Sequence, residues 1–137
     1  SQVLVVSDLN ISGSHNLVVG GNSTVSGTKS WSVPHPLLPG KLLQHGCVEA
    51  PEAGTGLYRL TADCTEPGMS TWALPEWYSH VAQNAQCWVQ ADKHFGRGYA
   101  DVSGNSVEIT VDIAGKYHIL IITSRKGDFG WELEPDA

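Results

Sequence analysis

Three side chains with chemical potential, His45, Cys47 and Glu49, stand at alternate positions of one predicted strand. A thiol, an imidazole and a carboxylate on one face are the parts of a nucleophile–base arrangement or of half a metal site. Side chains at i and i+2 of a strand lie about 6–7 Å apart, too far for a direct hydrogen bond between nucleophile and base. No second H-x-C or H-x-H strand is present to complete a tetrahedral site. We therefore expect these residues to pack, with metal binding and catalysis as alternatives, and we predict no enzyme activity, catalytic residue, metal ligand or cofactor.

The remaining candidates for metal or redox chemistry are also predicted to be structural. Cys47, Cys64 and Cys87 are an odd number at wide spacing with no C-x-x-C, which is neither a disulfide framework nor a zinc knuckle. We expect all three to be small buried hydrophobes in a protein made in a reducing cytoplasm. His35, which lies between two prolines, is predicted to be a packed corner residue.

The elements that position these residues are short strands separated by turn signals. The predicted strands are 30–33, 42–50, 57–64, 70–74, 85–91, 98–102, 107–113, 117–123 and 129–133, and Pro75 is expected to open a helical turn through Trp77 and Tyr78. Segment 117–123 is the most apolar and is predicted to be the central strand, paired in a terminal hairpin with 129–133. Because helical periodicity is almost absent, residues 29–137 are predicted to form an all-β, sandwich-like or barrel-like domain.

The segment 1–27 repeats one short phrase three times, at 8–13, 16–20 and 22–27. Each copy has a polar starter, alternate positions that are mostly apolar, and a glycine stop, as in a short strand. The segment holds ten Val, Leu and Ile residues, too many for a solvated linker, and it cannot bury them against itself. We therefore predict a β-stem over 1–28, wound from several identical chains and most simply a trimer; a Gly/Ser-rich linker and the first strands of a sandwich are the alternatives. The predicted trimer contacts are Leu9, Ile11, Leu17, Val19 and Val25.

Composition restricts the partners. The net charge is −6 and the pI is near 5.3, which argues against nucleic acid or an anionic membrane. No run of 18 apolar residues exists, so membrane insertion is not expected.

Aromatic faces pack against pyranose rings, and loop donors bind sugar hydroxyls, although each aromatic taken singly is expected to be a core residue. The candidate ligand-binding residues are Trp72, Trp77, Tyr78, His94, Phe95, Arg97 and Tyr99.

Two blocks, 29–37 and 42–52, resemble a motif of phage tail-fibre and appendage proteins and related bacterial surface proteins, K-x-F-x-I-x-H-P followed by Y-L-x-H-x-C-x-E-x-P-E. A weaker likeness continues through 57–59 (Y-Y-R-G in the family), 74–77 and 115–135. Trp31 stands where the family usually has Phe, and Leu42 where it has Tyr.

The resemblance implies a trimeric fibre with a distal β-domain. In such proteins the motif commonly follows a G-N-L-x-V-x-G stem similar to 16–20, and an autoproteolytic intramolecular chaperone is often part of the same chain. No Ser-Asp-x-x-x-Lys chaperone start occurs here, so self-cleavage by this chain is not expected.

Two functional classes follow from these features. The first is a structural virion fibre component, made in the host cytoplasm, that trimerises and presents its β-domain to other virion proteins or to a host-surface glycan. The second is a stand-alone lectin-like binding module or capsid decoration protein. The stem separates the two classes, because a monomeric lectin has no need of it.

Overall fold

The computed structural model describes residues 11, 13, 16–27, 29–51 and 54–126. Within them the regular structure consists of eight strands and one four-residue helix, which confirms the all-β prediction. The elements are β1 (Ser30–Pro34), β2 (Leu42–Gly46), β3 (Thr55–Cys64), β4 (Gly68–Ala73), α1 (Tyr78–Val81), β5 (Ala82–Ala91), β6 (Gly98–Ser103), β7 (Ser106–Val111) and β8 (Gly115–Arg125).

The strands form three antiparallel sheets. Two three-stranded sheets, ordered β3-β8-β5 and β4-β7-β6, share one apolar core and make the sandwich, while β1 and β2 form a separate hairpin. The shared core consists of the inward side chains of both sheets, which are Ala62, Cys64, Ala91, Val107, Ile109, Val111, Tyr117, Ile119 and Ile121.

Strand β8 is the centre of its sheet, as its apolar sequence predicts. It pairs with β3 on one side and with β5 on the other. Alternate side chains Tyr117, Ile119 and Ile121 point into the core and are at most 2% exposed. The strict alternation of β7 is also confirmed, since Val107, Ile109 and Val111 are buried while Glu108 is exposed. Both strands show the period-2 burial of a sheet with one covered face.

The two ends of the sandwich carry different structures. At one end, the helix end, α1 is joined to the β6–β7 turn, because Asn105 Oδ1 accepts a 2.7 Å hydrogen bond from the Ser79 amide. A second small core of Trp31, Val33, Leu43 and Val81 attaches the β1–β2 hairpin to this end. The opposite end, the loop end, consists of the connections 65–67, 92–97 and 112–114, as the pairs Cys64↔Gly115, Ala91↔Tyr117 and Gly68↔Val111 require.

Several boundaries differ from the predicted ones, and three of these differences have a visible local cause. Strand β2 ends at Gly46 rather than at residue 50, because its only partner β1 begins at Ser30 and the last connection is a bond from the Cys47 amide to the Lys29 carbonyl. Helix α1 begins at Tyr78, three residues after the predicted start at Pro75, on a turn closed by the bond from the Tyr78 amide to the Pro75 carbonyl. Strand β7 stops at Val111, since the Asp112 amide leaves the ladder for the Arg97 carbonyl.

The predicted stem strands are absent in the single chain over residues 16–27, all of which are exposed and outside any strand. Val18 is 87% exposed and Leu17 66% exposed, and Ile11, Val19 and Val25 are also open to solvent. The physical reason is that a strand needs a hydrogen-bonding neighbour, and one chain supplies none here. Leu9 and the predicted strand 129–133 lie outside the described residues.

Candidate functional site

The seven predicted ligand-binding residues do not form one cluster. Trp77 and Tyr78 lie at the helix end, whereas His94, Phe95, Arg97 and Tyr99 lie at or beside the loop end. Trp72 lies on β4 and pairs with Val107. The structure therefore distinguishes aromatic residues that pack in the interior from aromatic residues that are exposed, a distinction that the sequence analysis did not make.

The aromatics at the helix end and on β4 have structural roles. Tyr78 is 2% exposed and contacts the ring of Tyr58 edge-on, with centroids 5.1 Å apart. Burial, with smaller contributions from Tyr58 and Cys87, raises the pKa of Tyr78 to about 12. Trp72 packs against the sandwich core and donates its Nε1 hydrogen to Ser70 Oγ at 2.8 Å. Because the rings of Tyr78 and Trp72 pack against other side chains, neither offers a free face to a sugar.

The loop end presents Phe95 on a well-anchored loop. Phe95 is fully exposed, while its neighbour His94 is fixed from both ring nitrogens. The Gly96 amide donates to His94 Nδ1 at 3.0 Å, so the ring hydrogen is on Nε2, which lies 2.9 Å from the Lys116 carbonyl. A Cβ at Gly115 would lie 2.7 Å from this ring. The backbone under Phe95 is therefore held in place, and its side chain has no role in the core.

Arg97 and Asp112 lock the same loop to the end of β7. The Arg97 amide donates to Asp112 Oδ1 at 2.7 Å, and Arg97 Nε lies 3.6 Å from Asp112 Oδ2. The backbone hydrogen bond from Arg97, followed by its positive charge, lowers the pKa of Asp112. Beside them is a shallow depression of about 410 Å³. Tyr99 lines it and is 69% exposed, and Met69 lies across Thr110 on the same outer face.

We call Phe95, Arg97, Tyr99 and Asp112 the loop platform. It combines two exposed rings with a fixed cation and a carboxylate, which is a suitable arrangement for contacting a surface ligand. Three of the predicted residues are thus brought together, and His94 supports them from below. Sequence reasoning missed Asp112, which precedes a turn and showed no aromatic or motif signal.

His45 packs in an aromatic cage, as predicted. Its ring stacks on Trp31 with centroids 4.7 Å apart and meets Trp77 edge-on, and its Nε2 lies 3.0 Å from Tyr58 Oη. Burial, followed by the positive charge of Arg125, lowers the pKa of His45 from its ordinary value of 6.5. Both effects favour the neutral imidazole, which acts here as a packing and hydrogen-bonding group.

Cys47 and Glu49 do not share a site with His45. Both lie after the end of β2; Cys47 is exposed, and Glu49 forms a 3.1 Å surface ion pair with Lys29. The prediction that all three cysteines are buried is wrong for Cys47, because no strand continues to cover it. It holds for Cys64, and Cys87 is half-buried.

His35 has a local structural role. His35 forms the expected corner, since its Nδ1 accepts hydrogen bonds of 3.1 Å from the amides of Leu37 and Leu38. Among the described residues, no three His, Cys, Asp or Glu side chains are grouped so as to hold a metal ion.

A further exposed surface was missed by the sequence analysis. Trp88 lies on the outer face of β5, beside Leu120 of β8 and in line with Arg59 of β3. The signal that could have found it is the single aromatic residue among glutamines on the polar face of the predicted strand, between Gln86 and Gln90.

Comparisons of the chain with protein-family models, curated proteins and solved structures gave no match. In the part of the chain that the structure describes, no helix has the length and apolar character needed to cross a bilayer.

Proposed function

We propose that this protein is a structural and adhesive fibre component of a virion, assembled as a homotrimer through residues 1–28. In this proposal the β-sandwich is the distal domain that attaches to a host-surface glycan. No enzyme activity, cofactor or nucleic acid takes part, and the protein is made in the host cytoplasm. The resemblance of 29–37 and 42–52 to phage tail-fibre proteins supports this class of function.

The observation that carries the proposal is the exposed apolar content of 16–27. Leu17, Val18, Val19 and Val25 are all open to solvent in the single chain, while the sandwich and the hairpin each have their own core. Burial of an aliphatic side chain stabilises a protein by about 0.8 kcal/mol per CH₂ group, and this stabilisation is missing while the side chain is in contact with water. Copies of the same segment, wound together, supply both the missing strand partners and the missing apolar neighbours.

Attachment is assigned to the loop platform. Its loop is anchored by His94 and Asp112, so Phe95 and Tyr99 contact a ligand without first being ordered. Exposed aromatic side chains on an ordered loop are typical of recognition surfaces.

The experiment is light scattering on the purified chain at micromolar concentration. We expect three times the chain mass of 14.7 kDa. Replacing Leu17, Val19 and Val25 with serine should dissociate the trimer, whereas Val18→Ser, on the opposite face of the predicted strand, should leave the mass unchanged. A monomeric mass for the unmodified chain would refute the fibre proposal.

A monomer would instead favour a stand-alone lectin-like module or capsid decoration protein. The feature that favours this second candidate is that both described cores close without any contribution from the stem. Glycan binding by a monomer would support it.

A further inference from the structure

The outer face of sheet β3-β8-β5 holds a groove of about 760 Å³. Strand register places one side chain from each strand in successive rows across it, with β8 in the middle. The rows are Leu57, Ile122 and Gln86, then Arg59, Leu120 and Trp88, then Thr61, His118 and Gln90. The groove lies over the second and third rows, so Trp88 and Leu120 give it an apolar side and Thr61, His118 and Gln90 give it a polar side.

The apolar floor is formed by Trp88 and Leu120. Trp88 is 51% exposed, although an outward tryptophan on a strand contributes little to the core behind it. Such a ring offers a flat apolar surface with a polar edge, which suits the apolar face of a pyranose ring.

The polar wall is held rigid by His118. Its Nδ1 lies 3.1 Å from Thr61 Oγ1 and its Nε2 lies 3.4 Å from Asp92 Oδ1, so both ring nitrogens are engaged. Gln90 donates to the Ala91 carbonyl through Nε2, which fixes its amide beside the histidine. These groups supply ordered acceptors and donors at the edge of the groove.

Arg59 supplies the charge. Its guanidinium forms neither a hydrogen bond nor an ion pair with any other described residue, in a protein of net charge −6. It faces Trp88 across Leu120, two strand spacings or about 10 Å away. A guanidinium with free donors pairs best with a carboxylate, in a bidentate geometry.

We propose that this groove binds an acidic saccharide, a pyranose that carries a carboxylate. Its apolar face packs on Trp88 and Leu120, its carboxylate pairs with Arg59, and its hydroxyls bond to Thr61, Gln90 and the His118–Asp92 pair. The Arg59 guanidinium favours an occupant that carries its own carboxylate, and the ordered donors and acceptors of Thr61, His118 and Gln90 suit the hydroxyl groups beside it. The inference goes beyond the proposed function, because it adds a second saccharide site on the face of sheet β3-β8-β5, separate from the loop platform.

The test is binding of the full chain to paired oligosaccharides, measured by calorimetry. The pairs are an oligogalacturonate and its methyl ester, and a sialylated glycan and its desialylated form. We expect binding to at least one acidic member and about 10-fold weaker binding to its neutral partner. Absence of binding to both acidic members would overturn the proposal.

Variants distinguish this groove from the loop platform. R59Q should remove the preference for the acidic member of a pair. W88A should weaken binding to both members, and if W88A does not fold, the milder variant W88F takes its place in the measurement. R97Q reports on the loop platform, and loss of acidic-saccharide binding in R97Q but not in R59Q would contradict the assignment to the groove. The matched control K41Q removes an exposed positive charge from the β1–β2 connection, outside both sites, and should leave binding unchanged. If W88A and R59Q instead lower the mass seen by light scattering, the face is a contact between copies and the proposal is wrong. A trimer without acidic-saccharide binding refutes the groove proposal alone.

Discussion

Truncation of Ile121 to alanine tests the division of β8 into an inner and an outer face. Ile121 is 0% exposed and lies in the shared core, opposite Tyr58 on β3 and Cys87 on β5. Its neighbour Ile122 has the same side chain but lies on the outer face and is half-buried. The two positions therefore form a matched pair that differs in burial alone.

The expected magnitude follows from the carbon atoms removed. Isoleucine loses three side-chain carbons on change to alanine, worth about 2.4 kcal/mol at about 0.8 kcal/mol each, and the cavity left in a closed core raises this to about 3–4 kcal/mol. A domain of about 100 residues loses roughly 4–8 °C in melting temperature per kcal/mol. Ile121→Ala should thus lower the melting temperature by about 15–25 °C, and Ile122→Ala by about 5 °C.

The assay is thermal unfolding followed by circular dichroism, with urea unfolding at one fixed protein concentration. Both variants are compared with the unmodified chain, so any contribution of assembly enters all three measurements equally. Equal losses for the two variants would refute the sandwich as described. A larger loss for Ile122→Ala would mean that the outer face of the sheet is the more deeply covered one in the assembled protein.

Two further predictions concern the histidine cage and the cysteines. The lowered pKa of His45 means that the unfolded chain takes up its proton more readily, so stability is full above the unfolded pKa of 6.5 and falls as the pH drops below it. The urea concentration at the unfolding midpoint should therefore be lower at about pH 5.5 than at about pH 7.5. This decrease should be smaller in His45→Gln than in the exposed control His80→Gln, and an equal decrease in the two variants would contradict this role of His45. Cys64→Ser should destabilise the chain by about 1–3 kcal/mol because its hydroxyl is buried, whereas Cys47→Ser should change the stability by less than about 0.5 kcal/mol; equal urea midpoints for the two variants would contradict the burial seen here.

Much of the fold follows from local pattern. The alternation of Val107, Ile109 and Val111 predicts which face of β7 is buried, and the apolar run through Ile121 predicts a central strand. Both predictions are confirmed, because side chains of a strand point to opposite faces in turn, whatever the rest of the chain does. Element ends were less well predicted, since a strand continues only as far as its partner does, as the early end of β2 at Gly46 shows.

The candidate residues that lie at one end of the fold are those that are close in sequence. Phe95, Arg97 and Tyr99 are close in sequence and stay close in space, whereas Trp77 and Tyr78 share their aromatic character but lie at the other end. Aromatic type alone does not distinguish a packed ring from an exposed one. Burial depends on what other segments bring to the residue.

The sequence by itself determined the β class, the faces of the strands and the apolar character of residues 1–27, because these depend on residue type and spacing along one segment. Only the tertiary structure placed Arg59 in line with Trp88, with β8 between their strands, and enclosed His45 among rings from β1, β3 and the helix end. Such neighbours come from distant parts of the chain, and their proximity depends on sheet order and register. Those are decided by how all the buried faces pack together, since no single segment carries that information.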